Sequence, residues 1–140
     1  MKSLVAGGAG FIGSNLVDYL VKKGHKVVIL DNFNTGRRSN LSHHKKTNVK
    51  IIKVDISVKK KLEKYFKGID YVFHLAGLAD IVPSIENPDK YFKANVIGTL
   101  NVVQAAKKAK VKKLVYAASA SCYGIPNKVP TKEKDKINVL

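Results

Sequence analysis

Glycines between residues 7 and 13 have a spacing that could bind phosphate groups. They fit two dinucleotide-binding patterns, Gly8-x-Gly10-x-x-Gly13 and Gly7-x-x-Gly10-x-x-Gly13. The loop follows a run that predicts a strand and opens a pattern that predicts a helix, which is the context such a loop requires. The N–H groups of Phe11 and Ile12 would lie at a helix N-terminus, where the dipole favours an anion. A tight turn with no ligand is the alternative.

A carboxylate follows the second predicted strand. Asp31 comes 18 residues after Gly13. An acidic residue at about this distance, roughly 20 residues, hydrogen-bonds the hydroxyls of an adenosine ribose, and its charge repels a 2′-phosphate. The sequence therefore favours NAD over NADP, although Arg37 and Arg38 could accept that phosphate. A turn residue at a strand end is the alternative role of Asp31.

Three more predicted strand ends carry residues that suit a ligand. Asp55 could contact an adenine amino group, or it could be a turn carboxylate. Ala76 and Gly77 have no bulk to block a nicotinamide ribose. Ser119 and Ser121 follow the fifth predicted strand, and a serine there could hydrogen-bond a substrate hydroxyl or cap a turn. No Gly-x-Ser-x-Gly elbow is present, so a serine nucleophile is not predicted.

The histidines give weaker signals. His74 closes the fourth predicted strand and could be catalytic, although a structural bond to the backbone is the more usual role of such a residue. His43 and His44 have no partner ligands at metal-binding spacing, so no metal site is predicted.

Apolar periodicity predicts five strands separated by helices. The strands are expected at Lys2–Ala6, Lys26–Leu30, Val49–Val54, Tyr71–Leu75 and Lys113–Ala118, and the helices at Phe11–Lys23, Val58–Phe66 and Pro88–Lys110. This alternation predicts an α/β fold, a doubly wound parallel sheet with strand order 3-2-1-4-5. The first helix should bury Ile12, Leu16, Tyr19 and Leu20. The link between the second and third strands should run over the surface.

Composition limits the function classes. The chain has 140 residues, 45% of them hydrophobic, which suits one domain with a core. No apolar run approaches the roughly 20 residues that span a membrane, and a single cysteine, Cys122, favours a cytoplasmic setting.

The net charge of +16 could indicate a nucleic-acid partner. Because only two of the 26 basic residues are arginines, a solvated lysine-rich surface is favoured and no nucleic acid is predicted.

Taken together, the motifs resemble the extended short-chain dehydrogenase/reductase superfamily. The resemblance is closest to its NAD-dependent sugar-nucleotide epimerases and dehydratases, and within them to UDP-hexose 4-epimerases. It rests on stretches that occur in the order found in the family, namely GGAGFIGSNL, LDNFNTGRR, VDIS, VFHLAG, SIENPDKYFKANVIGTLNVVQAA and VYAASASCYG.

The resemblance assigns roles to matching positions. It implies a Rossmann-like domain in which Gly7, Gly10, Phe11, Ile12 and Gly13 hold the pyrophosphate of NAD. The ribose and adenine would be bordered by Asp31, Asn32, Asn34, Thr35, Gly36, Asp55 and Ile56. The nicotinamide half would pass Leu75, Ala76 and Gly77, and Ser119 would be the catalytic serine.

The same resemblance implies a catalytic Tyr-x-x-x-Lys pair beyond Leu140, where the tyrosinate takes a proton from a sugar hydroxyl. Residues 1–124 are therefore expected to form an incomplete NAD-binding domain, truncated before a sixth strand and inactive alone. Residues 125–140 should be a loop or disordered tail. The family also implies a UDP-sugar substrate and a homodimer formed through the helix with the stripe Phe92, Val96, Leu100 and Val103. Because the strand and helix that would cover the stripe and the fifth strand are expected beyond Leu140, the chain alone should be marginally stable and prone to self-association.

Other functions are also compatible with the sequence. A non-catalytic NAD-binding module and a sugar-nucleotide dehydratase fit the same motifs, whereas a basic nucleic-acid-binding domain rests on charge alone.

Overall fold

The computed structural model describes residues 1–58, 62–125 and 128–137, and its centre is a parallel sheet of five strands. The strands are β1 (Lys2–Ala6), β2 (Lys26–Asp31), β3 (Val49–Lys53), β4 (Tyr71–His74) and β5 (Lys113–Tyr116). Their order is β3-β2-β1-β4-β5, and every neighbouring pair is parallel. The predicted fold class and strand order are confirmed, with β5 at an edge.

Helical segments connect the strands. They are α1 (Phe11–Lys22), α2 (Glu63–Phe66), α3 (Ile81–Glu86), α4 (Pro88–Tyr91), a π-helical segment (Phe92–Ile97) and α5 (Gly98–Lys108). Among the described residues, short 3₁₀ helices lie at Arg38–Leu41 and Ala120–Tyr123. No helix among these described residues is long and apolar enough to cross a bilayer.

Apolar residues of the strands alternate between two cores, because successive side chains of a strand point to opposite faces. Leu4 and Ala6 of β1 pack in a core with Phe66 of α2 and Val102 of α5. Val5, between them, packs in a second core with Val17 of α1. The central strands are therefore covered on both faces, as parallel sheets require, whereas the edge strand β5 is mostly exposed.

The buried face of α1 differs from the prediction. Ile12 is 69% exposed and Tyr19 is 57% exposed, whereas Gly13 and Val17 are buried together with Ser14 and Leu20. The reason is the close contact of α1 with the glycine loop, where a Cβ on Gly13 would collide with the Gly7 carbonyl oxygen. Small residues therefore face inward at the start of α1, and Ile12 faces solvent.

The predicted long helix is segmented and ends earlier than expected. The helical region from Pro88 contains a π-helical turn and ends at Lys108, and Lys110 has a left-handed φ of 53°. Its inner face buries Asn101, Val102, Ala105 and Ala106. The predicted apolar stripe, Phe92, Val96, Leu100 and Val103, is 43–55% exposed.

Other segments also depart from the sequence prediction. Helix α2 begins at Glu63 rather than Val58, with residues 59–61 outside the described part, and α3 was not predicted. The β2–β3 connection is not wholly superficial, because Leu41 in it is 2% exposed and packs in the second core. Of the predicted tail, Ile125 and residues 128–137 are described and contain no helix or strand, while 126, 127 and 138–140 lie outside the description.

Asn101 ties α5 to the segment that follows β3, and this contact can be tested. Its Nδ2 donates to the carbonyl oxygens of Ile56 and Ser57, both at 3.0 Å. Asn101→Ala should lower the free energy of unfolding by about 1–3 kcal/mol, because a buried carbonyl loses its donor. Urea unfolding measures this, with Gln104→Ala on the exposed side of α5 as the control. Equal stability of the two variants would contradict the role given to Asn101.

Candidate functional site

A cleft of about 570 Å³ lies at the carboxyl edge of the sheet. Loops that follow β1, β2, β3 and β4 form one part of its lining, and the segment around α4 forms another. Eleven of the predicted cofactor residues line it, namely Gly7, Gly10, Asp31, Asn32, Asn34, Thr35, Asp55, Ile56, Leu75, Ala76 and Gly77. Ligands of doubly wound sheets bind at this edge, where the strand order reverses.

Gly7 sets the shape of the cleft floor. Its φ is +81°, and its N–H donates to the Leu30 carbonyl at 2.8 Å. A Cβ at this position would lie 2.6 Å from the Ala76 backbone nitrogen. The loop after β1 therefore touches the loop after β4 through backbone atoms, which only glycine permits.

The N-terminus of α1 is open to an anion. Gly10 is the N-cap residue, it provides no side-chain hydrogen bond, and the first turn contains no acidic residue. The side chains of Phe11 and Ile12 are 83% and 69% exposed, and neither residue lines the cleft. Their contribution would come from backbone N–H groups, which a pyrophosphate could accept together with the favourable dipole.

Asp31 holds the glycine loop in position. One carboxylate oxygen accepts the Ala9 N–H at 2.9 Å, and the other accepts the Phe33 N–H at 2.8 Å. The Ala9 carbonyl accepts the Arg37 N–H at 3.0 Å and Asn40 Nδ2 at 2.9 Å. Because each carboxylate oxygen has two acceptor sites, Asp31 keeps capacity for ribose hydroxyls while its orientation is fixed.

The connection after β2 forms the corner of the cleft next to Asp31. Asn32, Asn34 and Thr35 line this corner. Gly36 does not line it but packs behind it, where a Cβ would lie 3.0 Å from Asp31 Oδ1. The Arg38 guanidinium stacks over the Phe33 ring at 4.6 Å from its centroid, so this cation already has a partner.

Asn95 organises the opposite end of the cleft. It was not predicted as a site residue. Its side chain accepts the Leu78 N–H at 2.8 Å and donates to the Leu78 carbonyl at 2.9 Å. These bonds fasten Leu78, the residue that follows the Leu75–Gly77 loop, to the π-helical segment. A π-helical turn is a distortion that often occurs at functional sites. The sequence did not single it out, because the same predicted helix also contains Asn101.

His74 is buried beneath this end of the cleft. Its side chain is 1% exposed, and its Nε2 shares a hydrogen bond with Thr99 Oγ1 at 2.8 Å. The expectation that His74 bonds to the backbone is wrong, because the hydroxyl of Thr99 in α5 is its partner instead. Among the described residues, Nδ1 has no hydrogen-bond partner. Burial lowers the pKa of His74 to about 4, so the imidazole is neutral at pH 7.

Ser119 lies outside the cleft lining. It is exposed and caps the 3₁₀ helix Ala120–Tyr123, with its Oγ accepting the Ser121 N–H at 3.1 Å and donating to Ser121 Oγ at 3.0 Å. The structure thus brings eleven of the fifteen predicted NAD residues together in the cleft lining. It places the predicted catalytic serine in the capping role that the sequence had offered as its alternative.

The histidine pair has a neighbour that the sequence did not reveal. Asp18 of α1 lies beside His43 and His44, and the ligand atoms of the three residues are within 4.8 Å of one another. No metal was predicted, because the pair has no partner ligand at metal-binding spacing in the sequence. Asp18 is 25 residues from His43, and only the fold brings it near.

The fold and the cleft together define a doubly wound dinucleotide-binding protein, and comparison with known proteins specifies the family. The profile described as the NAD dependent epimerase/dehydratase family matches residues 3–139. The chain therefore belongs to this family, which confirms the predicted resemblance and NAD as the cofactor.

The relatives most similar to the chain include 4-epimerases. UDP-glucose 4-epimerase of Lactobacillus helveticus is 41% identical over 100% of the chain, and that of Pisum sativum is 38% identical over 99%. A solved structure of Thermus thermophilus UDP-glucose 4-epimerase in complex with NAD matches 99% of the chain with a TM-score of 0.86 and 35% identity. The chain spans only 42% of each sequence relative and 45% of that structure.

Substitution of Gly7 tests the backbone contact at the cleft floor. Gly7→Ala should destabilise the chain by several kcal/mol and abolish NAD binding, because positive φ costs about 1–3 kcal/mol and the new Cβ meets the Leu75–Ala76 backbone. Gly24→Ala is the matched control, since Gly24 has a φ of +78° and no atom within 4 Å of the added Cβ. Thermal unfolding and NAD titration measure both. Equal losses of stability and of NAD binding in the two variants would contradict the role of the backbone contact, because the positive φ alone would then explain the effect.

The pH dependence of stability tests the buried state of His74. Because its folded pKa of about 4 lies below the unfolded value of 6.5, the unfolded chain binds more protons between these two pH values. The stability contribution is complete above pH 6.5 and is lost as the pH falls, by about 2 kcal/mol between pH 7 and pH 5.

The substitution His74→Gln should remove this part of the pH dependence, while His25→Gln should retain it. Urea unfolding at a series of pH values makes the comparison. An unchanged pH profile in His74→Gln would contradict the neutral, buried state of the imidazole.

Proposed function

We propose that residues 1–140 bind NAD in the carboxyl-edge cleft and form the cofactor-binding part of a nucleotide-sugar 4-epimerase acting on UDP-hexoses. The observation that carries the proposal is that Gly7, Asp31 and Ala76, which lie at the ends of β1, β2 and β4, line one cleft. The identity to UDP-glucose 4-epimerases supports the choice of reaction and substrate class.

In this proposal each part of the cleft holds one part of the cofactor. The amides at the start of α1 bind the pyrophosphate, with Gly13 allowing the helix to approach the loop. Asp31 binds the adenosine ribose, and Asp55 and Ile56 border the adenine. Asp55 is exposed and already accepts the Ser57 N–H at 2.8 Å, which fixes its orientation. Ala76 and Gly77 leave room for the nicotinamide ribose.

The chemistry that NAD supplies when bound is removal and return of a hydride at the sugar carbon. The residues of this chain position that exchange. The Leu75–Gly77 loop, fastened at its end by the bonds of Asn95 to Leu78, sets the depth of the cleft beside the nicotinamide. We propose that Ser119 orients the sugar hydroxyl, since its Oγ is exposed and its two hydrogen bonds are to Ser121, two residues away. A substrate hydroxyl could replace these local bonds.

We further propose that the intact protein is a cytoplasmic homodimer. The stripe Phe92, Val96, Leu100 and Val103 is about half exposed, and such a row of apolar side chains is a typical interaction surface. Residues 1–124 would form the cofactor-binding domain, and 125–140 would be a loop or tail.

Cofactor preference tests the role of Asp31. The unmodified chain should bind NAD more tightly than NADP, because the fixed carboxylate repels a 2′-phosphate. Asp31→Asn should weaken NAD binding and narrow the preference, since the amide carries no charge. Calorimetric titration with both cofactors measures the two affinities.

Asp89→Asn is the matched control for this experiment. Asp89 lines the same cleft, so the change of charge is the same, but it belongs to α4 and not to the end of β2 that holds the glycine loop. It should leave the NAD preference unchanged. Equal affinity of the unmodified chain for NAD and NADP would rule out the assignment of Asp31.

Turnover tests the assignment of the catalytic base. After Ser119, residues 1–140 contain no Tyr-x-x-x-Lys sequence, so this chain should not convert UDP-glucose to UDP-galactose. Acid–base catalysis alone is worth about 10²–10⁴-fold in rate. A coupled assay for UDP-galactose with saturating NAD is the measurement, and conversion above the rate without protein would refute the assignment.

A further inference from the structure

A cluster of three potential metal ligands lies outside the cleft. Asp18 belongs to α1, and His43 and His44 belong to the β2–β3 connection just after the 3₁₀ helix Arg38–Leu41. Both imidazole Nε2 atoms point at the same carboxylate oxygen, with His43 Nε2 at 2.9 Å and His44 Nε2 at 2.7 Å from Asp18 Oδ1. The two rings lie 4.2 Å apart, centroid to centroid.

We propose that Asp18, His43 and His44 form a binding site for a divalent transition-metal ion such as Zn²⁺. Two imidazole nitrogens and one carboxylate oxygen are a ligand set that Zn²⁺ accepts, and water would complete the coordination. None of the three residues lines the cofactor cleft, so the site is separate from the proposed NAD site.

The cluster needs only a small change to take an ion. Ligand atoms about 2.0–2.1 Å from a tetrahedral zinc lie about 3.3 Å from one another, compared with 2.9 and 2.7 Å in the hydrogen-bonded cluster. The two oxygen–nitrogen distances would lengthen by about 0.4–0.6 Å, and the two Nε2 atoms, which lie within 4.8 Å of each other, would adopt the same spacing. The side chains of Asp18 and His43 are 48% and 57% exposed and can move outward, while His44, at 8%, is held by its surroundings.

Metal binding replaces the two hydrogen bonds with coordinate bonds. Each Nε2 must give up its proton to become a ligand, either to solvent or by transfer of the ring proton to Nδ1, and Asp18 binds as the carboxylate. The ion would join α1 to the β2–β3 connection, the segment whose first residues line the cleft near Asp31. Bound metal should therefore stabilise the folded chain by linkage.

The test uses the 140-residue chain purified without a histidine tag and carrying Cys122→Ser, because a thiol is a competing zinc ligand. Calorimetric titration with Zn²⁺ gives the stoichiometry and affinity, and Co²⁺ gives an absorption spectrum that reports the coordination geometry. The variants are Asp18→Asn, His43→Gln and His44→Gln. His25→Gln is the matched control, since it removes a histidine that pairs with Ser3 and lies outside the cluster.

We expect one Zn²⁺ per chain at micromolar zinc, with a higher midpoint of thermal unfolding. Each of the three variants should bind at least about tenfold more weakly and lose the thermal shift, while His25→Gln should behave like the parent. Because Asp18 and His43 are surface side chains, those two variants keep the test valid even if His44→Gln unfolds. No uptake at micromolar zinc, or uptake that Asp18→Asn and His43→Gln leave unchanged, would overturn the proposal.

Discussion

The contact between two backbone segments at Gly7 is the constraint on which the carboxyl edge depends. With its left-handed φ and no side chain, Gly7 allows the loop after β1 to touch the loop after β4. This contact places the start of α1 at the end of the sheet, and the close packing of Gly13 against Gly7 brings the helix onto the same loop. The exposed helix N-terminus, the cleft and its small-residue floor all follow from this one approach.

Asp31 combines a structural task with a binding task. Its two oxygens accept backbone N–H groups from both sides of the cleft corner, which fixes the glycine loop relative to β2. The same fixed charge faces the corner where a ribose would lie. Holding a carboxylate in place before the ligand arrives lowers the cost of ordering it on binding. Substitutions at Asp31 should therefore be interpreted through stability as well as affinity.

Local patterns in the sequence were sufficient to predict the sheet. Apolar periodicity located its five strands, and their alternation with helices indicated the strand order that the structure shows. They were insufficient where a contact between distant segments decides burial. Ile12 fits an apolar helix face, yet packing of Gly13 against Gly7 turns it outward. Asn95 and Asp18 acquire their roles from partners far along the chain, Leu78 and the histidine pair. A single sequence contains no signal of such pairings.

The central claim is that NAD lies in the carboxyl-edge cleft with its pyrophosphate at the start of α1. Amide chemical-shift mapping by NMR, with NAD added to the isotopically labelled chain, tests this directly. The account predicts the largest shifts at residues 7–13, 31–36 and 75–77, which line or adjoin the cleft, and no shift at His43 or His44 beyond the average. Saturable binding with its largest shifts elsewhere, or no saturable shift at residues 10–13, would contradict it.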